Sequence, residues 1–221
     1  MKCDPSLPVP GRICIVDYGM GNISSVQKAI QFFGVDTNVS HDPKTLRAAD
    51  ALILPGVGSF SQAMSNLKNR GLVVVLNEIV FRENKPFLGI CLGMQLLAKG
   101  SWENGWNQGL GWINGTVEQF KKESGSRVPN VGWSSVMAED SVLFDGVPGG
   151  ASFYFDHSYF IGTRDLSVAQ ARVGNVDFVA AIEHANIFGT QFHPEKSDRA
   201  GLNLLRNFLN FVARNGCGAR T

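Results

Sequence analysis

Short apolar runs alternate with stretches of helical period through the first half of the chain. Residues 12–17 (R-I-C-I-V-D), with the apolar run Ile13-Cys14-Ile15-Val16 at their centre, read as a buried strand. Asn22 then opens an amphipathic helix over residues 23–33, and Gly34 closes it. Residues 36–40 and 51–54 read as the second and third strands, the latter entering the loop Pro55-Gly56-Val57-Gly58-Ser59. Helical spacing covers residues 60–67 and 72–83, residues 87–90 are a fourth strand, and residues 92–99 are helical again. This rhythm predicts an α/β fold: an open, mostly parallel sheet with helices on both faces.

The second half reads differently. Strand-like runs stand at residues 116–120, 152–159, 178–183 and 187–192, with His184-Ala185-Asn186 as a hairpin turn between the last two. These strands are expected to extend the sheet in antiparallel fashion. A closing helix over residues 195–214 carries Leu202, Leu205, Phe208 and Leu209 on its apolar face. With no internal repeat and no linker, residues 12–214 are expected to form one domain, between an N-terminal extension (1–11) and a C-terminal tail (215–221).

Composition narrows the classes. Of 221 residues, 44% are hydrophobic, enough for a sizeable core, and 20 basic residues nearly cancel 19 acidic ones. That balance argues against a nucleic-acid-binding face. The longest aliphatic run, residues 72–76, is far short of the ~20 residues of a membrane span. The first eleven residues contain Pro5, Pro8 and Pro10 and no signal-peptide pattern, so a cytoplasmic location is expected. Cys3, Cys14, Cys91 and Cys217 are too scattered for a disulfide framework and make no C-x-x-C pair. Neither metal nor cofactor is expected.

The candidate chemistry starts at Gly89-Ile90-Cys91-Leu92-Gly93, where an apolar strand runs directly into a helix. Gly-x-Cys-x-Gly has the form of a nucleophile elbow with Cys in place of Ser. Flanking glycines permit the sharp turn, and the helix N-terminus favours a thiolate. The Leu92 N–H points towards any oxyanion formed at the attacked carbon. A buried structural Cys is the alternative. A thiol nucleophile needs a base, and His193 stands at a strand end in Gln191-Phe192-His193-Pro194-Glu195. Pro194 favours extended geometry at His193, which puts Glu195 on the same side, where it can orient the imidazole. His157 is a rival base; His41 and His184 fall in loops. Gly19-Met20-Gly21 after the first strand, with Asp42 downstream, has part of a dinucleotide-binding pattern, but Ser24 replaces the third glycine.

Together, Gly89-Ile90-Cys91-Leu92-Gly93-Met94-Gln95 and Gln191-Phe192-His193-Pro194-Glu195-Lys196-Ser197 resemble a class I (triad) glutamine amidotransferase. Asp17-Tyr18-Gly19-Met20-Gly21-Asn22, Pro55-Gly56-Val57-Gly58-Ser59-Phe60 and Tyr154-Phe155-Asp156-His157-Ser158-Tyr159 narrow the resemblance to glutaminase subunits of imidazole glycerol phosphate synthase. It runs over residues 12–211. It implies a flavodoxin-like fold and a Cys91–His193–Glu195 triad, with oxyanion donors at Leu92 and Val57. Gly58, Gln95, Glu103, Ser158 and Tyr159 match positions that hold the glutamine. Tyr18, Asn22, Trp133 and Lys196 match positions near a cyclase (synthase) partner in a heterodimer, which turns the Gly-rich segment from a nucleotide loop into an interface loop.

Two departures concern that partner. The family shows P-H-M-G-W-N where this chain has Pro129-Asn130-Val131-Gly132-Trp133-Ser134, and an apolar residue where it has Asp156. A paralogous subunit feeding a sugar amidotransferase of surface-polysaccharide synthesis is therefore the alternative. A non-catalytic regulatory subunit, or a thiol peptidase or esterase, stands further off.

Overall fold

The structure, a computed structural model, describes residues 11–121, 128–163 and 165–216. The expected extension up to residue 10, Cys3, Cys217 and the tail from residue 217 lie outside the described residues.

In chain order the elements are β1 (Ile13–Val16), α1 (Ile23–Gln31), β2 (Thr37–Ser40), α2 (Pro43–Ala48), β3 (Ala51–Gly56), α3 (Phe60–Asn69), α4 (Leu72–Asn77), β4 (Phe87–Cys91) and α5 (Leu92–Gln95). There follow β5 (Gly100–Ser101), β6 (Asn107–Gln108), β7 (Thr116–Gln119), β8 (Asn130–Ser135), β9 (Met137–Ala138), β10 (Ser152–His157), β11 (Tyr159–Ile161), β12 (Ser167–Val173), β13 (Val176–His184), β14 (Ile187–Thr190) and α6 (Asp198–Gly216). The main sheet has eight strands in the order β2-β1-β3-β4-β14-β13-β12-β9. The pairings from β2 across to β14 are parallel, and those from β14 across to β9 are antiparallel. The second half thus extends the sheet of the first, but the expected antiparallel extension holds only from β13 to β9: β14 joins β4 in parallel, and the strands expected at residues 116–120 and 152–159 pair outside the main sheet. Two smaller sheets stand apart: the ribbon β10-β8 and the set β11-β7-β5-β6.

The period-2 alternation of the strands divides the core in two. Ile13, Ile15, Ile53, Leu88, Ile90 and Phe188 pack on one face with Val26 and Ile30 of α1 and Leu205 and Phe208 of α6. Cys14, Val16, Leu52, Leu54 and Phe87 pack on the other with Phe60, Met64 and Leu67 of α3. Burial on both faces is why β1, β3 and β4 read as unbroken apolar runs. Among the described residues no helix is long and apolar enough to cross a membrane.

Several boundaries differ from the sequence reading, each for a local reason. α1 ends at Gln31, where Gly34, at φ +73°, donates its N–H to the Gln31 carbonyl. Asn22 sits at the N-cap of α1, but its side chain makes no capping bond. The helix expected over residues 72–83 is α4 followed by one π-turn at Glu78–Arg82. α5 stops after four residues because the Leu96, Leu97 and Ala98 carbonyls accept from Leu110, from Trp112 and Ile113, and from Gly111. That loop takes the bonds a longer helix would have used. α2 went unread, although Asp42 caps it by accepting from the Thr45 N–H at 2.9 Å, with Pro43 in its first turn. The closing helix begins at Asp198, after a 3₁₀ turn at Pro194–Lys196, and runs past residue 214 to Gly216.

Candidate active site

β3 and β4 run side by side, and their register places Gly56 opposite Cys91. β3 therefore continues two residues beyond its expected end. Cys91 is the last residue of β4 and precedes α5, at φ +55° and ψ −110°. A non-glycine side chain in that region is strained by about 1–3 kcal/mol, and such strain collects at functional sites. The flanking glycines are required by contact. A Cβ on Gly93 would lie 1.8 Å from the Leu54 carbonyl oxygen, and one on Gly89 would lie 2.7 Å from the Gly93 carbonyl oxygen. The strand and the helix cross too closely for side chains.

His193 follows β14, the parallel neighbour of β4. Its backbone N–H donates to the Tyr154 carbonyl, and its carbonyl accepts from the Ser197 hydroxyl at 2.6 Å, while that hydroxyl accepts the Tyr154 N–H at 2.9 Å. These bonds lock the imidazole-bearing turn to β10. Nδ1 of His193 lies 2.8 Å from Glu195 Oε1, with both side chains buried. Nε2 is buried and makes no formal hydrogen bond; the group acting on that side is Cys91. Burial alone would lower the His193 pKa, but the Cys91 and Glu195 side chains outweigh it and push it up to about 10. That rise marks an imidazole whose charged form is favoured by the groups around it in spite of burial. Burial pushes the Cys14 thiol up to about 11, which keeps it unreactive.

The rival base is disabled. His157 Nδ1 donates to the Tyr159 carbonyl at 2.8 Å, and its Nε2 lies 3.0 Å from Asn130 Nδ2, as an acceptor once Nδ1 carries the proton. The ring packs among Phe120, Phe155 and Phe178. Burial lowers its pKa to about 4, so the ring is neutral and both nitrogens are engaged.

Gln95 is buried at the end of α5, its Nε2 donating to the Tyr159 carbonyl at 2.8 Å and to Gln191 Oε1 at 3.0 Å. Glu103 accepts the Phe60 N–H at 2.7 Å, which places a carboxylate at the start of α3, beside the Gly58 loop. Ser158, between β10 and β11, and Tyr159, the first residue of β11, are half-buried. Val57 is 41% exposed, and Gly58 has φ +110°. Leu92 is the first residue of α5. Sequence reasoning missed Gln191, whose Nε2 lies 3.7 Å from Cys91 Sγ; a buried Gln at a strand end is the signal that marks it. It also assigned nothing to Ser197 or to the Asp156 carbonyl, which lies 3.9 Å from Cys91 Sγ.

The four positions assigned to a partner surface separate. Trp133 is 51% exposed and meets the Tyr154 ring edge-on, while Lys196 Nζ stands 5.4 Å from that ring's centre. Asn22 is partly exposed. Tyr18 is not a surface residue: it is fully buried, with its hydroxyl oxygen in the space that a Cβ on Gly56 would need.

Fold and site define an α/β amidase with a Cys–His–Glu triad. Residues 14–211 match the family model "Glutamine amidotransferase class-I". The chain is 45% identical over 206 residues to imidazole glycerol phosphate synthase subunit HisH of Moorella thermoacetica, covering 92% of this chain and 97% of that protein. It is 44% identical over 199 residues to subunit HisH 1 of Campylobacter jejuni, covering 89% and 98%. PurLQS from Thermotoga maritima shares the fold, with a TM-score of 0.72 at 19% identity over 92% of this chain and 99% of that one. A structure described as a glutamine amidotransferase does so as well, with a TM-score of 0.71 at 19% identity over 91% and 98%. The chain belongs to the class I glutamine amidotransferase family, among its HisH-type subunits.

Proposed function

We propose that this protein is the glutaminase subunit of an imidazole glycerol phosphate synthase, hydrolysing glutamine to glutamate and passing the ammonia to a cyclase partner in histidine biosynthesis. The observation that carries the reading is the buried His193–Glu195 pair beside a thiol held at positive φ.

Cys91 attacks the side-chain amide carbon of glutamine, and His193 supplies the proton that leaves with ammonia. Water then attacks the glutamyl thioester, giving up a proton to His193, and glutamate departs with the thiol restored. Each step passes through a tetrahedral oxyanion. Leu92 donates from the start of α5 and Val57 from just beyond Gly56, the β3 residue opposite Cys91, as a two-donor hole requires. Gly58, Gln95, Glu103, Ser158 and Tyr159 surround the glutamine head group. Glu103 supplies negative charge for its α-ammonium.

The partner docks over the exposed Trp133 and the partly exposed Lys196 and Asn22, forming a heterodimer in the cytoplasm. An indole, an ammonium and the Tyr154 ring between them suit such an interface. The test is glutamate release from glutamine by the chain alone and with its cognate cyclase loaded with a ribotide ligand. Slow release alone and a rise of about 10²-fold or more with the cyclase is the expected result. Release that ignores the cyclase keeps the glutaminase and moves the partner to the sugar-amidotransferase alternative.

A further inference from the structure

Tyr18 is fully buried, yet its hydroxyl has no hydrogen-bond partner. Leaving a buried hydroxyl unpaired costs about 1–3 kcal/mol, and a native structure that carries such a group has a reason for it. The position of the hydroxyl supplies one. A Cβ added to Gly56 would lie 2.7 Å from Tyr18 Oη, 2.8 Å from Leu92 Cβ and 2.9 Å from the Gly93 nitrogen. The hydroxyl therefore rests against the backbone of the residue that pairs with Cys91. The loop that carries it follows this strand closely: a Cβ on Gly58 would meet Met20 Cε at 2.7 Å, and one on Gly21 would meet the Pro55 carbonyl oxygen at 3.0 Å. Cys91 also acts electrostatically on the phenol, which burial and that neighbour together keep protonated and so available as a donor.

In a trans peptide the carbonyl and the N–H point in opposite directions. When the Val57 N–H faces the oxyanion, the Gly56 carbonyl must turn away from it, into the protein. A buried carbonyl needs a donor. We propose that Tyr18 is a positioning residue for glutamine hydrolysis: its hydroxyl donates to the Gly56 carbonyl in the state that carries the tetrahedral intermediate, and so fixes the peptide whose N–H stabilises it. No proton is transferred. The hydroxyl is unpaired at rest because its acceptor arrives only with that state. This inference rests on the glutaminase reading and on Val57 as an oxyanion donor.

The test is Tyr18→Phe, which keeps the ring and removes only the oxygen, compared with the wild type in complex with the cognate cyclase. The expected result is a kcat about tenfold lower with KM for glutamine unchanged. Alkylation of Cys91 by iodoacetamide should proceed at the wild-type rate, because the thiol itself is untouched. The melting temperature should be equal or higher, since an unpaired polar atom has gone. An unchanged kcat overturns the proposal. So does a lower melting temperature, which would reveal a structural bond, or slowed alkylation, which would place the effect on the thiol. A wild-type complex that releases no glutamate fails the glutaminase reading instead, so the two failures are distinguishable.

Discussion

His193 and His157 are both buried, one just after β14 and the other at the end of β10, and their surroundings push them in opposite directions. His193 has a carboxylate on Nδ1 and the thiol on its other side, and its pKa rises. His157 has a backbone carbonyl on Nδ1, an amide on Nε2 and three phenyl rings around it, and its pKa falls. Burial alone disables an imidazole by disfavouring its charged form. It becomes a base when an anion stands behind it and one nitrogen is kept for chemistry. The β8–β10 ribbon thus supplies a rigid neutral spacer, while the end of β14 supplies the reactive group.

The largest expected effect breaks the pair at its nucleophile. Cys91→Ala should lower glutamine hydrolysis on the order of 10⁶-fold while leaving the melting curve intact. The His193 ring should then titrate well below about 10, because one of the two groups raising it is gone. Persistent hydrolysis would mean that another thiol does the work. Glu195→Gln makes the surroundings of His193 resemble those of His157, and kcat should fall on the order of 10⁴-fold, with the ring pKa falling on NMR titration. A variant with wild-type kcat would erase the distinction between the two histidines.

His157→Gln should leave hydrolysis close to the wild-type rate, since neither ring nitrogen is open to substrate, but it should change the pH dependence of stability. With a folded pKa of about 4, below the ordinary 6.5, His157 takes up its proton more readily in the unfolded chain. Stability is therefore lost as pH falls from 6.5 towards 4, by roughly 3 kcal/mol at ~1.4 kcal/mol per unit. His193 has the opposite sign: its contribution is complete below 6.5 and is lost as pH rises towards 10. Urea melts at pH 7 and pH 5 should show a smaller acid loss in the variant; equal losses would refute the assignment.

What could be read from the sequence follows from how local each signal is. The nucleophile elbow was legible because its reason is local: two glycines, one strand and one helix meet within five residues. The hairpin between β13 and β14 was legible too, with Ala185 at φ +54° in a two-residue turn. β8 was not, since Gly132 interrupts it at φ +134° and its side chains alternate between exposed and half-buried. β12 is hidden differently, because Ser167, Gln170 and Arg172 break up its apolar residues. The burial of Tyr18 was invisible, because a Tyr-Gly-Met-Gly loop gives no sign that a distant Gly56 leaves room for the hydroxyl. Gln191 was similarly hidden, its partners lying about 100 positions away.

The place of β4 in the sheet has a consequence for how the chain is made. Its final neighbours are β3, synthesised just before it, and β14, which begins 100 residues later at Ile187. At ~5–20 residues per second a ribosome needs roughly 5–20 s to cover that gap. Until then β4, all five of whose residues are buried in the finished fold, is an open sheet edge on the nascent chain, of the kind that recruits other strands. Cys91 emerges with it, without His193 and Glu195, so the half-made protein carries a thiol that has no base. Completing the sheet and switching on the nucleophile are therefore one event, the docking of β14.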